Sequence, residues 1–433
     1  MQPTEYRISF LEFSLYIYVL LCGFQNILHL PVFEEKLQVS DLWFLVILFQ
    51  LAHSWKKFQL GFAKLISFKF IRVYGMLLIA FLSINFIACL INYSVAGILD
   101  SVGKLYLVSM HVVFIACFEI CNASNPQIRM VRAFIHLAVL VSVIGLIGWI
   151  LSVCGIENIT TEIFKGYPYF GDTHRIRAFS PTASFYISMV AIGIASALYE
   201  FIFLSKRAVF GYLALLMSLV AVLCFAKSFL FILLVWILFL LFKMQANFKF
   251  MVFYIIVILA AHLVTTHFLF ITKSQLNNSN LLNGPFTSGE ILYQSNNFAI
   301  AASSYYQLKK TSWQIFTTNP WWGIGPGNFN HEITKLKMQG NFPAQLSNYD
   351  PHSTILGALA ETGLFGFLVL IGLVVFYVCS FSLYQSRIDP ISFLLGMLLL
   401  IMCAEGLSMD VLNFRHYWLV LSLVIWNRIK LTN

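Results

Sequence analysis

Long apolar runs alternate with short polar or basic joints from the first turn of the chain to its last. Runs able to cross a hydrocarbon core of about 30 Å recur near residues 8–30, 41–54, 73–92, 101–121, 131–154, 181–204, 208–226, 228–242, 250–271, 352–384, 391–408 and 413–427. The pattern predicts an all-α fold, a polytopic membrane helix bundle of about twelve spans, with the second, eighth and twelfth short. One stretch breaks it: residues 272–351 are too polar to span and too long for an ordinary connection. The chain therefore divides into an N-terminal bundle over 1–271, a long extramembrane loop over 272–351 and closing spans over 352–433. The run from Ile8 to Leu30 has spanning length and no small-residue cleavage site after it, so no cleavable leader is expected.

Composition excludes an ordinary soluble domain: 60% of residues are hydrophobic, 16% aromatic and 10% charged, with a mean hydropathy of +0.83. Lys and Arg beside a span are held on the cytoplasmic side during insertion. With the amino terminus inside, the inner joints carry more than half of the 27 basic residues, among them Lys56, Lys57, Lys64, Lys69, Arg72, Arg129, Arg132, Lys206 and Arg207. Both termini are then cytoplasmic, and Gly155–Ser180 and Thr272–Asp350 face the periplasm or cell exterior. The net charge of +9 is mostly topological, and nucleic acid is not expected as a partner. All eight cysteines lie in or at the edge of apolar runs and read as small buried hydrophobes. Cys117 and Cys121 share a helix face but lack the histidines that would make a metal site.

Loops as long as 272–351 are usually functional. Its first half, LNNSNLLNGPFTSGE, reads as flexible surface. From Ile300 a helix is expected, with Ser304, Gln307, Lys310 or Thr311, and Gln314 on one side and Tyr305, Leu308, Trp313 and Phe316 buried against the membrane surface. Asn319 and Pro320 end it, and Gly323, Gly325 and Gly327 force a tight irregular turn. No strand precedes this GxGxG and no βαβ unit surrounds it, so it is not a dinucleotide site. It serves either to bring backbone amides to a ligand or simply to turn.

The loop ends at a helix start, where Asp350 can cap, Pro351 suits the first helical position and His352 falls in the first turn. The positive end of the helix dipole favours a neutral imidazole there and Asp350 opposes it. A neutral histidine at a membrane-water boundary is a candidate general base, or it hydrogen-bonds the glycine-rich loop. His331 and His174 lack a helix start to position them, and Glu361 reads as a structural group in the bundle interior. Lys227 interrupts an apolar stretch, Ala208–Phe242, that is too long for one crossing and suits two joined by an external turn at Phe225–Ser228. Arg175 and Arg177 precede Pro181, and Lys309 and Lys310 stand on the loop helix. Lipid headgroup contact explains most such cations one by one; gathered on one face, they suit an anionic substrate.

NPWWGIGPGNF followed by PHSTILGALAETGLFG resembles the signature of the O-antigen ligase and O-antigen polymerase family, most specifically from Lys309 to Gly366. The resemblance implies a GT-C-like membrane bundle in the bacterial cytoplasmic membrane. Such an enzyme would move a glycan from an undecaprenyl-diphosphate carrier to a hydroxyl on the periplasmic face, with inversion and without a cofactor or metal. His352 matches the family histidine, Trp313 its tryptophan and Pro320–Gly327 its turn; Lys227, Lys309 and Ser353 stand where the family has Arg, Arg and Asn. Arg177 is similar to a further family arginine before a proline. The resemblance therefore implies His352 as base, with Lys227, Arg177 and Lys309, supported by Arg175 and Lys310, as a diphosphate clamp. Glu34 and Glu35 could hold a divalent ion, but a metal-independent reaction is expected. A polymerase is favoured over a ligase because these three departures fit the more variable branch, and a chain-length regulator is a conceivable partner. A lipid or solute transporter is the rival from another class, disfavoured by the absence of paired halves and by polar groups at the rim.

Overall fold

Among the described residues six helices are long and apolar enough to cross a membrane: Lys69–Ile91, Val95–Ile120, Pro126–Val153, Ala183–Leu204, Lys249–His267 and Thr354–Ser380. Shorter apolar helices, Phe10–Leu21, Val39–His53, Ala208–Val222, Phe229–Lys243 and Pro390–Glu405, pack among them, and Arg415–Thr432 closes the bundle. The computed structural model describes residues 9–27, 37–121, 125–167, 171–245, 248–272, 287–346, 350–380 and 389–432; Glu34 and Glu35 lie outside them. The architecture is the expected all-α polytopic membrane bundle. Pro126–Val153 packs tightly on Ala183–Tyr199, where a Cβ on Gly193 would stand 2.0 Å from that of Ala138. Small residues let backbones approach in this way, and dispersion contacts replace the hydrophobic drive that lipid cannot supply.

The polar pairs sort to the two ends of the bundle. At one end Lys64 meets Glu119, Arg129 meets Glu12 and Arg132 meets Glu200. Here lies Trp55–Ser67, an amphipathic helix within a joint that the sequence reads only as basic. At the other end the segments around 26, 92–97, 160–180, 223–228, 268–346 and 406–414 touch one another. Asn26 N–H donates to Phe179, Ile176 N–H to the Leu223 carbonyl, and Asn92 to the Gly323 carbonyl. Five of the eight cysteines are buried as expected, whereas Cys154, Cys379 and Cys403 are exposed on the bundle surface.

The extramembrane parts differ from expectation. Thr161–Tyr167 and Gly171–Ile176 form an antiparallel hairpin, and Phe298–Ser303 is the central strand between Phe268–Thr272 and Thr287–Gln294. Thr287–Gln294 falls in the stretch read as flexible surface, and the helix expected from Ile300 begins only at Ser304. The reason is tertiary: the backbone of Ala299–Ser303 is committed to ladders on both sides, and Ser303 caps the helix that follows. The helix buries Ser304, Leu308, Thr311, Ser312 and Ile315, while Trp313 is 52% exposed and rests on Phe316.

Candidate active site

The glycine turn is hydrogen-bonded to a break in the following helix. Thr354–Ser380 is interrupted at Gly363, with φ +66° and ψ −160°, which frees backbone groups that the bilayer would not tolerate unpaired. Ile324 N–H donates to Ala360 O at 2.9 Å, Gly325 N–H to Glu361 O at 2.9 Å, and Leu364 N–H to Pro320 O at 2.8 Å. Gly323, Gly325 and Gly327 all have positive φ. Glu361 Oε1 accepts from Gly327 N–H at 3.1 Å, which gives that carboxylate a structural hydrogen-bonding place. The amides of Ile324, Gly325 and Gly327 are thus bonded to protein at the helix break.

The same junction sets the start of the helix and so the place of His352. Helical residues begin at Thr354, with Ser353 ahead of them: its Oγ accepts from Leu356 N–H at 3.4 Å and its carbonyl from Gly357 N–H at 2.8 Å. His352 is therefore not in the first turn. It has φ +46°, and Asp350 Oδ1 accepts its N–H at 2.9 Å, closing a local turn rather than capping a helix. The 406–414 segment clasps this corner: Thr354 N–H donates to Gly406 O at 2.8 Å and Thr354 Oγ1 to Met409 O at 3.0 Å. The His352 ring bonds the Ser408 backbone, stands 3.5 Å from Asp350 Oδ1 through Nδ1, and meets the Tyr305 ring edge-on at 4.5 Å between centroids. Burial holds its pKa below the ordinary 6.5, with Lys309 adding to the effect against Asp350 and the Ser408 bond. Burial and a neighbouring ammonium, rather than a helix dipole, bias His352 toward the neutral imidazole.

The cations divide. Lys227 lies in the expected turn between Ala208–Val222 and Phe229–Lys243, its ammonium 5.8 Å over the Tyr305 ring. Burial, then the charge of Arg175, lower its pKa to about 8. Arg175 Nε donates to Cys224 O at 2.9 Å and lies 3.6 Å from Glu162, which fixes the guanidinium beside the Lys227 turn. Lys309, four residues after Tyr305 on one helix face, donates to Leu407 O at 2.6 Å and is lowered to about 8 by burial. Lys227, Lys309 and His352 thus gather around Tyr305, with Arg175 beside Lys227.

Two further cations are placed elsewhere. Arg177 Nε and Nη1 donate to the backbone oxygens of Ile159 and Pro181 at 3.2 and 3.4 Å, bracing the loop. Lys310 pairs with Glu290 at 3.3 Å in a separate cleft of about 470 Å³ with Gln307, Lys337 and Asn341. Adjacent residues on a helix point about 100° apart, so Lys309 and Lys310 cannot serve one small site.

Sequence reasoning missed Tyr305, which it assigned to the membrane face, and His262, whose Nδ1 lies 3.4 Å from the Lys227 carbonyl. It also missed the 406–414 segment, which offers the Leu407 and Ser408 backbone. Its Asp410 carboxyl, 3.4 Å from Thr354 Oγ1, is raised by burial to about 6. Among the described residues no cluster of three or more His, Cys, Asp or Glu has metal-binding proximity.

A fold of this kind, with cations and a neutral histidine at one end of a membrane bundle, defines a multi-pass membrane protein with a polar site at the rim. The family model described as O-antigen ligase matches residues 212–371, a stretch that holds Lys227, Tyr305, Lys309, the glycine turn and His352. Over those residues the chain is similar to the O-antigen ligase family. No curated protein matches the chain.

Proposed function

We propose that the protein is a polysaccharide repeat-unit polymerase, acting on undecaprenyl-diphosphate-linked glycan at the periplasmic face of a bacterial cytoplasmic membrane. The observation that carries this reading is the meeting of one neutral imidazole with three cations drawn from distant parts of the chain. The acceptor hydroxyl of a second lipid-linked repeat unit attacks the anomeric carbon, and a new C–O bond forms as the C–O bond to diphosphate breaks. His352 takes the hydroxyl proton, and undecaprenyl diphosphate departs with the bonding pair. Lys227, Lys309 and Arg175 stabilise the charge that grows on the leaving diphosphate. Attack opposite the leaving group inverts the anomeric centre, and a diphosphate leaving group stabilised by side-chain cations requires no metal. Lys227 and Lys309 lack the bidentate fork of arginine, so they act as point charges while Arg175 supplies the planar contact.

The second reading is a ligase that delivers the glycan to lipid A core, favoured by the family description itself. A deletion strain separates them. Loss of a polymerase leaves a single repeat unit on the final acceptor, whereas loss of a ligase leaves none there. Polymer of wild-type length in that strain would refute both.

A further inference from the structure

Tyr305 touches both halves of the cluster, and glycosyl transfer as proposed gives it no task. Its ring meets His352 at 4.5 Å and carries the Lys227 ammonium at 5.8 Å, and its helix brings Lys309 to the same face one turn on. We propose that Tyr305 is a positioning residue, a rigid spacer that holds the leaving-group cation and the base one aromatic ring apart. This inference rests on the glycosyl-transfer reading. In an inverting displacement the acceptor hydroxyl and the leaving oxygen lie on opposite sides of the anomeric carbon, so the base and Lys227, the clamp cation across the Tyr305 ring from it, are separated on the scale of one pyranose. An aromatic ring has that scale, and its two side-chain torsions make it a stiff gauge.

The spacer also bears on charge. Lys227 faces Arg175 from the hairpin, His262 and His267 from the Lys249–His267 span, and Tyr305 from the loop helix. Arg175 and burial both disfavour its ammonium, and the ring face is the partner that favours it. Removing the ring therefore misplaces the base and discharges Lys227 at a lower pH. A role confined to folding would move neither the pH profile nor the balance between turnover and substrate affinity.

The test is turnover by purified full-length protein in liposomes, fed undecaprenyl-diphosphate-linked oligosaccharide extracted from a strain lacking the protein. Tyr305→Leu should lower turnover on the order of 10²-fold, the scale of a 1 Å misplacement. The half-saturating substrate concentration should change little, and the alkaline limb of the pH profile should shift to lower pH. Tyr305→Phe, which keeps the ring, should restore turnover and profile. If Tyr305→Leu does not fold, Tyr305→Met carries the same expectation. Wild-type turnover without the ring, or Tyr305→Phe as impaired as Tyr305→Leu, overturns the spacer. Lys227→Met and His352→Ala are run alongside: wild-type turnover from those two sinks the glycosyl-transfer reading itself, whereas their loss beside an active Tyr305→Leu sinks only the spacer.

Discussion

Gly323 and Glu361 stand backbone to backbone: a methyl at Gly323 would lie 2.4 Å from the Glu361 carbonyl carbon. The contact joins the extramembrane turn to the break in the span that follows His352, so the two can shift only together. Gly323 also has φ +66°, where an L side chain is strained by about 1–2 kcal/mol. Gly323→Ala should lower stability by at least about 2 kcal/mol, the strain plus overpacking against backbone. Gly340 has φ +73° and nothing within 4 Å of its missing Cβ, so Gly340→Ala should cost only the strain. Thermal denaturation in detergent compares the two.

Lys309 and Lys310 are neighbours in sequence with opposite expectations. Lys309→Met should reduce transfer roughly 10²- to 10³-fold, as expected for a lost charge-stabilising donor. Lys310→Met should leave the rate within about twofold, because its partner is the exposed Glu290. Equal losses in a transfer assay would show that the two share one site.

The pH profile should be bell-shaped. The base works when His352 is deprotonated, so activity is present above its pKa and falls on an acid limb below the ordinary histidine value of 6.5. The clamp works when Lys227 and Lys309 are protonated, so activity is present below about 8 and falls as pH rises through it. An alkaline limb near the ordinary lysine value would contradict the buried placement of these ammonium groups.

Much of the fold was legible because a span must be apolar along its whole length, whichever neighbours it meets. The Lys227 turn was legible for the same reason: one cation cannot sit midway in an overlong apolar stretch, so the chain has to turn there. The His352 corner was misread because Asp350-Pro351-His352 has the local chemistry of a helix cap, whereas the His352 N–H donates to Asp350 and closes a turn ahead of a helix that starts at Thr354. Tyr305 was hidden because its partners lie near 227 and 352, contacts that periodicity cannot reveal. The strand that delays its helix to Ser304 depends on ladders to Phe268–Thr272 and Thr287–Gln294, equally remote from local pattern.

Asp41 and Arg415 form a buried pair at 2.9 Å, with Tyr106 donating to the same carboxylate at 2.7 Å. Arg415→Met leaves that carboxylate buried without its cation and should cost about 3–5 kcal/mol. Adding Asp41→Asn should recover much of the loss. Melting temperatures of the single and double variants check this, and an additive outcome would mean that the two groups are uncoupled.

The central claim is that His352 takes a proton from an acceptor hydroxyl. The most direct measurement is product formation from lipid-linked oligosaccharide by purified His352→Ala protein in liposomes, at matched amounts of folded material. The account predicts a loss of about 10²- to 10⁴-fold, the usual worth of a general base. A wild-type rate from that variant would contradict it.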